Sequence, residues 1–576
     1  MTDIRRTVLW VVFTMSLVLL WDGWQKHNGQ PSLFSPGAPR PAAVASQPLQ
    51  PAVAGTTPAP MAAASSVVAA VNAPSEKIVV HTDVLTVTVD TLGGDVVRAE
   101  LPKYLTAPDP TVTDQLMQMV GLQKKPAFTP EPVVLFDAAN SYRAQTGLVN
   151  AQGGALPSHT TPMVAVPGER ELAAGQNEVK LRLESAEVGG VKLVKTFTFT
   201  RGAYTVGVTH EVVNAGTAPV TPQVYLQLVR DGSHVAGGAG FTPTFTGPAL
   251  YTEKTHFQKI EFKDIDKRAA DNREVDIEKR ANDGWVAMVQ HYFASAWLEN
   301  DNQAREFFVR KLPGRPGVSA DTYATGMVFT LPVLAPGASE SHQATLFAGP
   351  QEENKLATLA PGLPLVKDYG WLRILAEPLF WLLDKLHGFI GNWGWSIIGL
   401  VVLLKIAFYW LNASAYRSMA KMKAVAPRIT ELRERLKDKP QEMQQEMMKI
   451  YREEKVNPVG GCLPIFLQMP FFIALYWVLL STVEMRQAPW LGWITDLSVR
   501  DPYFILPLLM MASSLLQVKL NPPAADPMQQ KMMWIMPVVF GIMFFVFPSG
   551  LVLYWLTNNI LSIAQQWLIN KRLGVK

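Results

Sequence analysis

Apolar residues recur along this chain with three different periods, and each period predicts a different kind of element. At the start, Ile4-Arg5-Arg6 gives way to an almost unbroken apolar run that Trp21, Asp22, Gly23 and Trp24 close. Two positives ahead of roughly 18 apolar residues, with tryptophans behind, predict a membrane anchor at 7–24 with residues 1–6 in the cytoplasm. A cleaved leader is the rival reading, but its small-residue stretch, Ala43-Val44-Ala45-Ser46, lies far beyond the apolar run. Residues 25–75 are Pro, Ala, Gln, Ser and Thr with almost no charge. Such a composition buries too little apolar surface to offset ordering entropy, so it predicts a disordered tether.

From 76 to 365 the period falls to two. Val84-Leu85-Thr86-Val87-Thr88-Val89-Asp90, Lys195-Thr196-Phe197-Thr198-Phe199-Thr200 and Tyr204-Thr205-Val206-Gly207-Val208-Thr209 alternate between apolar and polar. Gly93-Gly94, Arg201-Gly202 and Asn214-Ala215-Gly216 punctuate the runs, so the region predicts a large antiparallel β domain, a sandwich, with one short helix near 113–122. The anchor's orientation puts this domain outside the cytoplasm. At 366–391 the period becomes helical: Leu372, Leu375, Leu379, Leu382, Leu386 and Phe389 form a stripe that Arg373, Glu377, Asp384 and Lys385 mostly avoid. That predicts an amphipathic helix in the membrane interface; the alternative is a helix packed on the β domain.

Five apolar segments follow, at 392–412, 460–483, 503–519, 532–547 and 551–569, the third and fourth short for a hydrocarbon core of about 30 Å. The loop at 413–459 is dense in Lys and Arg, that at 484–502 holds only Arg486 and Arg500, Lys519 and Lys531 flank the loop at 520–531, and Lys571, Arg572 and Lys576 follow the last span, beyond the turn at 548–550. Positives gather in alternate loops, which puts both termini, including the tail at 570–576, in the cytoplasm. The pattern therefore predicts an α-helical polytopic membrane protein of six transmembrane helices carrying a large external β domain.

Composition narrows the chemistry. Of 576 residues 48% are hydrophobic and 17% charged, against about 25% charged in soluble domains. A net charge of +4 implies no bulk attraction to nucleic acid, and a single cysteine, Cys462, excludes a disulfide framework and a Cys-based metal cluster. The last histidine is His387, and no Asp or Glu falls inside the five carboxy-terminal spans. Intramembrane proteases and proton relays lose their usual groups, and no phosphate loop or dinucleotide fingerprint is present, so no catalytic residue, metal or cofactor is expected.

One ionisable group does sit deep in a span. Lys405 lies about 9 residues before Ser414, roughly 13 Å from the cytoplasmic end and beyond easy snorkelling. A central Lys costs about 2.5 to 3.5 kcal/mol on insertion scales, so it calls for a hydrated pocket; partial snorkelling with local thinning is the bland alternative. Gln468, Ser513, Ser514, Gln517, Tyr554, Thr557 and Asn558 on other spans are candidates to hydrate it, although interhelical hydrogen bonding explains each of them singly. In the cytoplasmic loop, Ala415, Met419, Met422, Ala426, Ile429, Leu432 and Leu436 follow mostly four-three spacing, and Met443, Met447, Ile450 and Glu454 resume it after Pro440. This predicts a coiled-coil hairpin at 413–459, failing apolarity only at Glu454. Its outside is basic, with Arg417, Lys421, Lys423, Arg428, Arg433 and Arg435: either a solvated positive-inside loop or a surface for apolar clients, anionic lipids or ribosomal RNA.

Several stretches resemble a known family. They are Asn392-Trp393-Gly394-Trp395-Ser396-Ile397-Ile398, Ser418-Met419-Ala420-Lys421-Met422, 454–462 (Glu-Lys-Val-Asn-Pro-Val-Gly-Gly-Cys), Gln468-Met469-Pro470, Arg486-Gln487-Ala488-Pro489, 526–531 (Asp-Pro-Met-Gln-Gln-Lys) and 547–554 (Phe-Pro-Ser-Gly-Leu-Val-Leu-Tyr). With Gly284-Trp285-Val286-Ala287-Met288-Val289-Gln290-His291-Tyr292-Phe293 in the outer domain, they are similar to the YidC-type membrane protein insertases of Gram-negative bacteria. The resemblance implies a cell inner membrane protein that inserts and helps fold membrane-protein clients, alone or with the Sec translocon. It implies a five-helix core around a hydrophilic groove, a periplasmic β-super-sandwich and a mobile hairpin that meets the ribosome-nascent chain complex. The groove positive is usually Arg in that family, so Lys405 keeps the charge but loses the planar fork. Phe472 matches a client-contact position, and Met543 stands at the corresponding position of the fourth core span. An enzyme on a mutarotase-like sandwich, with His210-Glu211 or His291 as acid and base, and a small-solute transporter are the other classes weighed; the chain shows no internal repeat or mid-membrane carboxylate for the latter.

Overall fold

The computed structural model describes residues 75–106, 112–119, 129–233, 244–299, 301–313, 321–436, 439–454, 463–521 and 527–572. The anchor expected at 7–24, and the tether but for its last residue, lie outside the described residues.

Alternating apolar residues form two antiparallel sheets of nine strands each. The first runs Lys77–His81, Thr86–Asp90, Asp95–Leu105, Arg143–Asn150, Pro222–Asp231, Thr322–Thr330, Arg305–Leu312 and Arg280–Ala281, with Pro132–Val134 beside Asp95–Leu105. The second runs His256–Lys259, Gly247–Thr252, Trp285–Gln290, Phe293–Leu298, Ser339–Pro350, Thr205–Asn214, Val191–Thr200, Glu178–Ser185 and Met163–Ala165. Along Thr205–Asn214 every second side chain is buried, as period-two reading requires. Trp285–Gln290 and Phe293–Leu298 are buried at every position, because their outer face is covered too. Tyr251 stacks on Trp285 at 5.7 Å, and the Trp285 indole donates to the Pro361 carbonyl at 2.9 Å.

The sandwich interior holds a polar row. Lys195, His210 and His342 stand opposite one another on three adjacent strands, each at most 4% exposed. The Lys195 ammonium donates to the carbonyls of Gly93 (2.5 Å) and Thr146 (2.8 Å). His210 Nε2 meets the Thr146 hydroxyl at 2.9 Å, and His342 Nε2 meets Glu299 at 3.1 Å. Burial, then the neighbouring Lys195 and His342, holds His210 well below its ordinary range.

Eleven α-helices occur among the described residues: α1 Val112–Met119, α2 Phe262–Ala270, α3 Glu353–Leu359, α4 Arg373–Ile390, α5 Trp393–Ala407, α6 Tyr409–Arg435, α7 Pro440–Glu453, α8 Leu463–Ser481, α9 Ile505–Leu520, α10 Pro527–Met543 and α11 Ser549–Arg572. The short helix expected near 113–122 is α1. Leu379, Leu383, Leu400, Leu475, Val478, Met510 and Val552 belong to one apolar core built by α4, α5, α8, α9 and α11. The amphipathic helix lies on other helices through Leu379 and Leu383 and also meets the helix Glu353–Leu359 beside the sandwich, where Asp384 accepts from the Asn354 amide at 3.4 Å. Its opposite side carries bare apolar residues, Ile374 (81% exposed), Trp381 (60%) and Phe389 (92%), so Phe389 leaves the stripe on which the sequence spacing placed it.

Among the described residues no single helix is long and apolar enough to cross a membrane, whereas the pair Trp393–Ala407 and Tyr409–Met422, bent by 69°, passes by length and composition. The straight span expected at 392–412 is therefore broken after Lys405. Neither Pro nor Gly causes the bend. The Phe408 ring packs edge-on against Phe471 of α8 at 5.0 Å, and Asn412 accepts from the Gln468 amide at 2.9 Å, so the neighbouring helix holds it. α9 has 16 residues and α10 has 17, so neither exceeds about 26 Å at ~1.5 Å per residue. Outward residues such as Ile406, Leu508, Leu509, Ile535, Val539, Phe540, Ile542 and Ile560 are exposed, an apolar surface of the kind that faces lipid rather than water.

α6 and α7 fold onto each other around Val425, Ile429, Leu432, Ile450 and Tyr451, with Met422, Leu436 and Met447 at the margin. Glu454, the polar break in the spacing, forms an ion pair with Arg428 across the hairpin.

The His210 geometry carries a pH dependence. The unfolded chain takes up the histidine proton first, so the His210 contribution to stability is full above about pH 6.5 and is lost as pH falls. Asp95, raised by burial to about 7, acts in the opposite sense, full below about pH 4 and lost as pH rises. The contributions separate in a difference measurement: the gap in thermal midpoint between the chain and His210→Gln should narrow as pH is lowered from about 7 to about 5. A pH-independent gap would contradict the assignment.

Candidate functional site

The cavity of interest follows from where α5, α8 and α11 meet. Lys405 enters from the last turn of α5, Gln468 and Phe472 from α8, and Tyr554 and Asn558 from α11; Val401, Leu404, Phe408 and Phe471 complete the wall. The cavity holds about 20 Å³, room for about one water. The Lys405 ammonium donates to the Ser562 hydroxyl at 2.7 Å, and that hydroxyl donates to the Asn558 carbonyl at 2.7 Å. Among the described residues no carboxylate makes an ion pair with it. A cation with one neutral partner amid aromatic walls has an unfilled demand for negative charge or water.

Phe472 is clamped rather than free. Its ring stacks on Trp555 at 5.2 Å and 13° and meets Tyr554 at 5.9 Å. Met543 is half-buried at the end of α10 against the same helical core.

The structure brings Lys405, Gln468, Phe472, Tyr554 and Asn558 to one cavity and leaves other expected residues off its wall. Asn559 donates to Ser514 at 2.8 Å and Ser513 at 3.3 Å, so those serines join α9 to α11 instead. Gln517 is half-buried on α9 and Thr557 is buried on α11; neither lines the cavity. Sequence reasoning missed Ser562 and Asn559. The signal was present, since Asn559, Ser562 and Gln566 recur at helical spacing on one face of α11 and all are buried. In the hairpin, Met422 and Met447 are spent on its own core, Met419 and Met443 are half-buried, Lys421 and Arg428 are exposed, and the Lys423 side chain lies outside the described residues.

Residues 385–575 match the family described as 60Kd inner membrane protein, and residues 122–382 match the YidC periplasmic domain. The membrane protein insertase YidC of Cupriavidus necator is 52% identical over 583 residues, covering 99% of this chain and 98% of its own. That of Burkholderia multivorans is 48% identical over 579 residues, covering 99% of both. A crystal structure of an active YidC insertase with its first transmembrane domain resolved is similar over 85% of this chain and 92% of its own, at 18% identity and a TM-score of 0.36. The fold and the family matches define the class: an inner membrane protein with a periplasmic β-sandwich domain. Within that class, the chain belongs to the YidC family of membrane protein insertases, which are not enzymes.

Ser562→Ala removes the one hydrogen-bond acceptor that the Lys405 ammonium has among the described residues and should lower stability by about 1 to 3 kcal/mol, whereas Ser562→Thr, which keeps the hydroxyl, should stay close to the parent. Thermal unfolding of both variants in the same lipid-detergent mixture checks this; equal loss in the two would assign the effect to packing.

Proposed function

We propose that this chain inserts and helps fold other inner-membrane proteins by offering them one positive charge partway across a thinned bilayer. The observation that carries the reading is Lys405: a cation beside a cavity, bonded among the described residues to one hydroxyl, with Gln468, Tyr554 and Asn558 around it. A client's acidic outer tail supplies the missing negative charge. The client's apolar segment then leaves along α8 and α10, past Phe472 and Met543, with transfer into lipid contributing about 25 cal/mol per Å². The short α9 and α10 favour local thinning, which shortens the apolar barrier the tail must cross.

In this reading six helices span the membrane, five of them enclosing a hydrophilic groove open to the cytoplasm, and both termini are cytoplasmic. Widening of the small cavity on client entry admits the water that a polar tail brings. The exposed apolar side of α4 lies among headgroups. The basic hairpin faces anionic lipids and the ribosome-nascent chain complex, and the Sec translocon is the partner for clients too large for one groove. No cofactor is needed, because no bond is made or broken.

Lys405→Ala should reduce insertion of a client with an acidic outer tail by about fivefold to tenfold, equivalent to about 1 to 1.4 kcal/mol, and leave a neutral-tailed client within about twofold. Lys405→Arg should retain most of the activity. Protease protection of the client tail in proteoliposomes is the measurement, and equal losses for both tails would remove the charge from the mechanism.

A further inference from the structure

Two of the motifs that carry the family resemblance, Gly284–Phe293 and Arg486–Pro489, lie away from the Lys405 cavity, and the fold brings them together. His291 and Tyr292 form the two-residue turn between the strands Trp285–Gln290 and Phe293–Leu298. Arg486 and Gln487 follow the outer end of α8. His291 Nε2 donates to the Leu480 carbonyl at 3.1 Å, one of the last-turn carbonyls of α8 that has no partner within its own helix. Burial pushes His291 down to about 4, which keeps the ring neutral and its Nε2 proton available for this bond. The Arg486 guanidinium lies over the rings of Tyr292 at 5.1 Å and Phe293 at 5.5 Å and donates to the Leu105 carbonyl at 2.8 Å; the Gln487 amide reaches the same carbonyl at 3.1 Å.

Both sides of this contact hold a strained backbone. Tyr292 has φ +67° and Gln487 φ +56°, a left-handed conformation that is costly for side chains of this size. Such strain persists where surrounding contacts over-determine the geometry. The packing agrees. Val483 is fully buried in the sandwich core and Met485, two residues on, in the helical core. Lys367, fully buried, lies 3.5 Å from Glu484 and 3.7 Å from Glu353, and the Ser481 hydroxyl donates to the Asp368 carbonyl at 2.5 Å.

We propose that His291, Tyr292 and Arg486 are positioning residues for insertion: the β domain caps and holds the outer end of α8, and so fixes Gln468 and Phe472 against Lys405. The inference rests on the Lys405 reading of the groove, but its consequences differ. Lys405 acts on charge, so its loss singles out acidic tails. The latch acts on the geometry of the whole path, so its loss affects acidic and neutral tails alike.

The test uses the full chain in proteoliposomes, with Arg486→Ala, His291→Phe and the donor-retaining His291→Gln. Hydrogen exchange of the backbone amides at 476–482 and insertion of both clients are read together. Arg486→Ala and His291→Phe should raise exchange at the end of α8 by tenfold or more and lower insertion of both clients about fivefold; His291→Gln should recover most of both, as loss of packing alone would not allow. Raised exchange with unchanged insertion overturns the positioning role, and so does the absence of either change, while the Lys405 result stands or falls separately. If Arg486→Ala does not fold, the contrast between His291→Phe and His291→Gln decides.

Discussion

A cation in an apolar setting must find negative charge, water or a hydroxyl, and the helical half of this protein is arranged around that demand. At Lys405 the demand is met, among the described residues, by the Ser562 hydroxyl alone. A carboxylate within the bundle would neutralise the charge and leave nothing for a client to satisfy. Full hydration in a wide channel would screen it. A single neutral partner in a small cavity keeps the ammonium in place and its attraction strong. The bend at Phe408 belongs to the same arrangement, because it ends α5 one turn after Lys405 and turns the chain toward the hairpin.

The two halves of the molecule meet the problem of buried polarity in different ways. The sandwich encloses Lys195, His210, His342, Glu299 and Asp95 and gives each a partner among carbonyls, hydroxyls, the Gln145 amide and one another, while Asp95 Oδ1 and His210 Nδ1 have no hydrogen bond among the described residues. The bonds from Lys195 and His210 to Thr146 tie the second sheet to the first. The helical core spaces its polar groups sparsely along α11, where Asn559, Ser562 and Gln566 link that helix to α9 and α5. Between the halves, the segment 483–487 has a side chain in each core, Val483 in the sandwich and Met485 in the helices.

Much of this was legible in the chain. Period-two alternation marked Val191–Thr200 and Thr205–Asn214 as strands because an antiparallel sheet with one wet face repeats every second residue. The heptad-like spacing marked α6 and α7, and even its fault at Glu454 has a physical counterpart in the Arg428 ion pair. Lys405 was conspicuous because a charge inside an apolar run is expensive. Gln468, Tyr554 and Asn558 were in view as polar residues on other spans, while Ser562 and Asn559 passed unnoticed although their helical spacing with Gln566 was present.

The rest depended on which helices touch, and periodicity carries no such information. The run at 392–412 reads as one straight span because nothing within it breaks a helix; its 69° bend is imposed by Phe471 and Gln468 from some sixty residues away. Ser513 and Ser514 looked equivalent to Gln468 as partners for Lys405, and only the rotation of α9 against α11 directs them to Asn559. Arg486 and His291 stood out only as members of two separate motifs, and nothing local shows that those motifs meet. Local sequence thus determined the type and period of each element, since those follow from backbone geometry and one residue's preference for water or oil. Pairings across long separations were decided in the tertiary structure, where close packing selects one helix rotation and one domain contact among many that the same pattern allows.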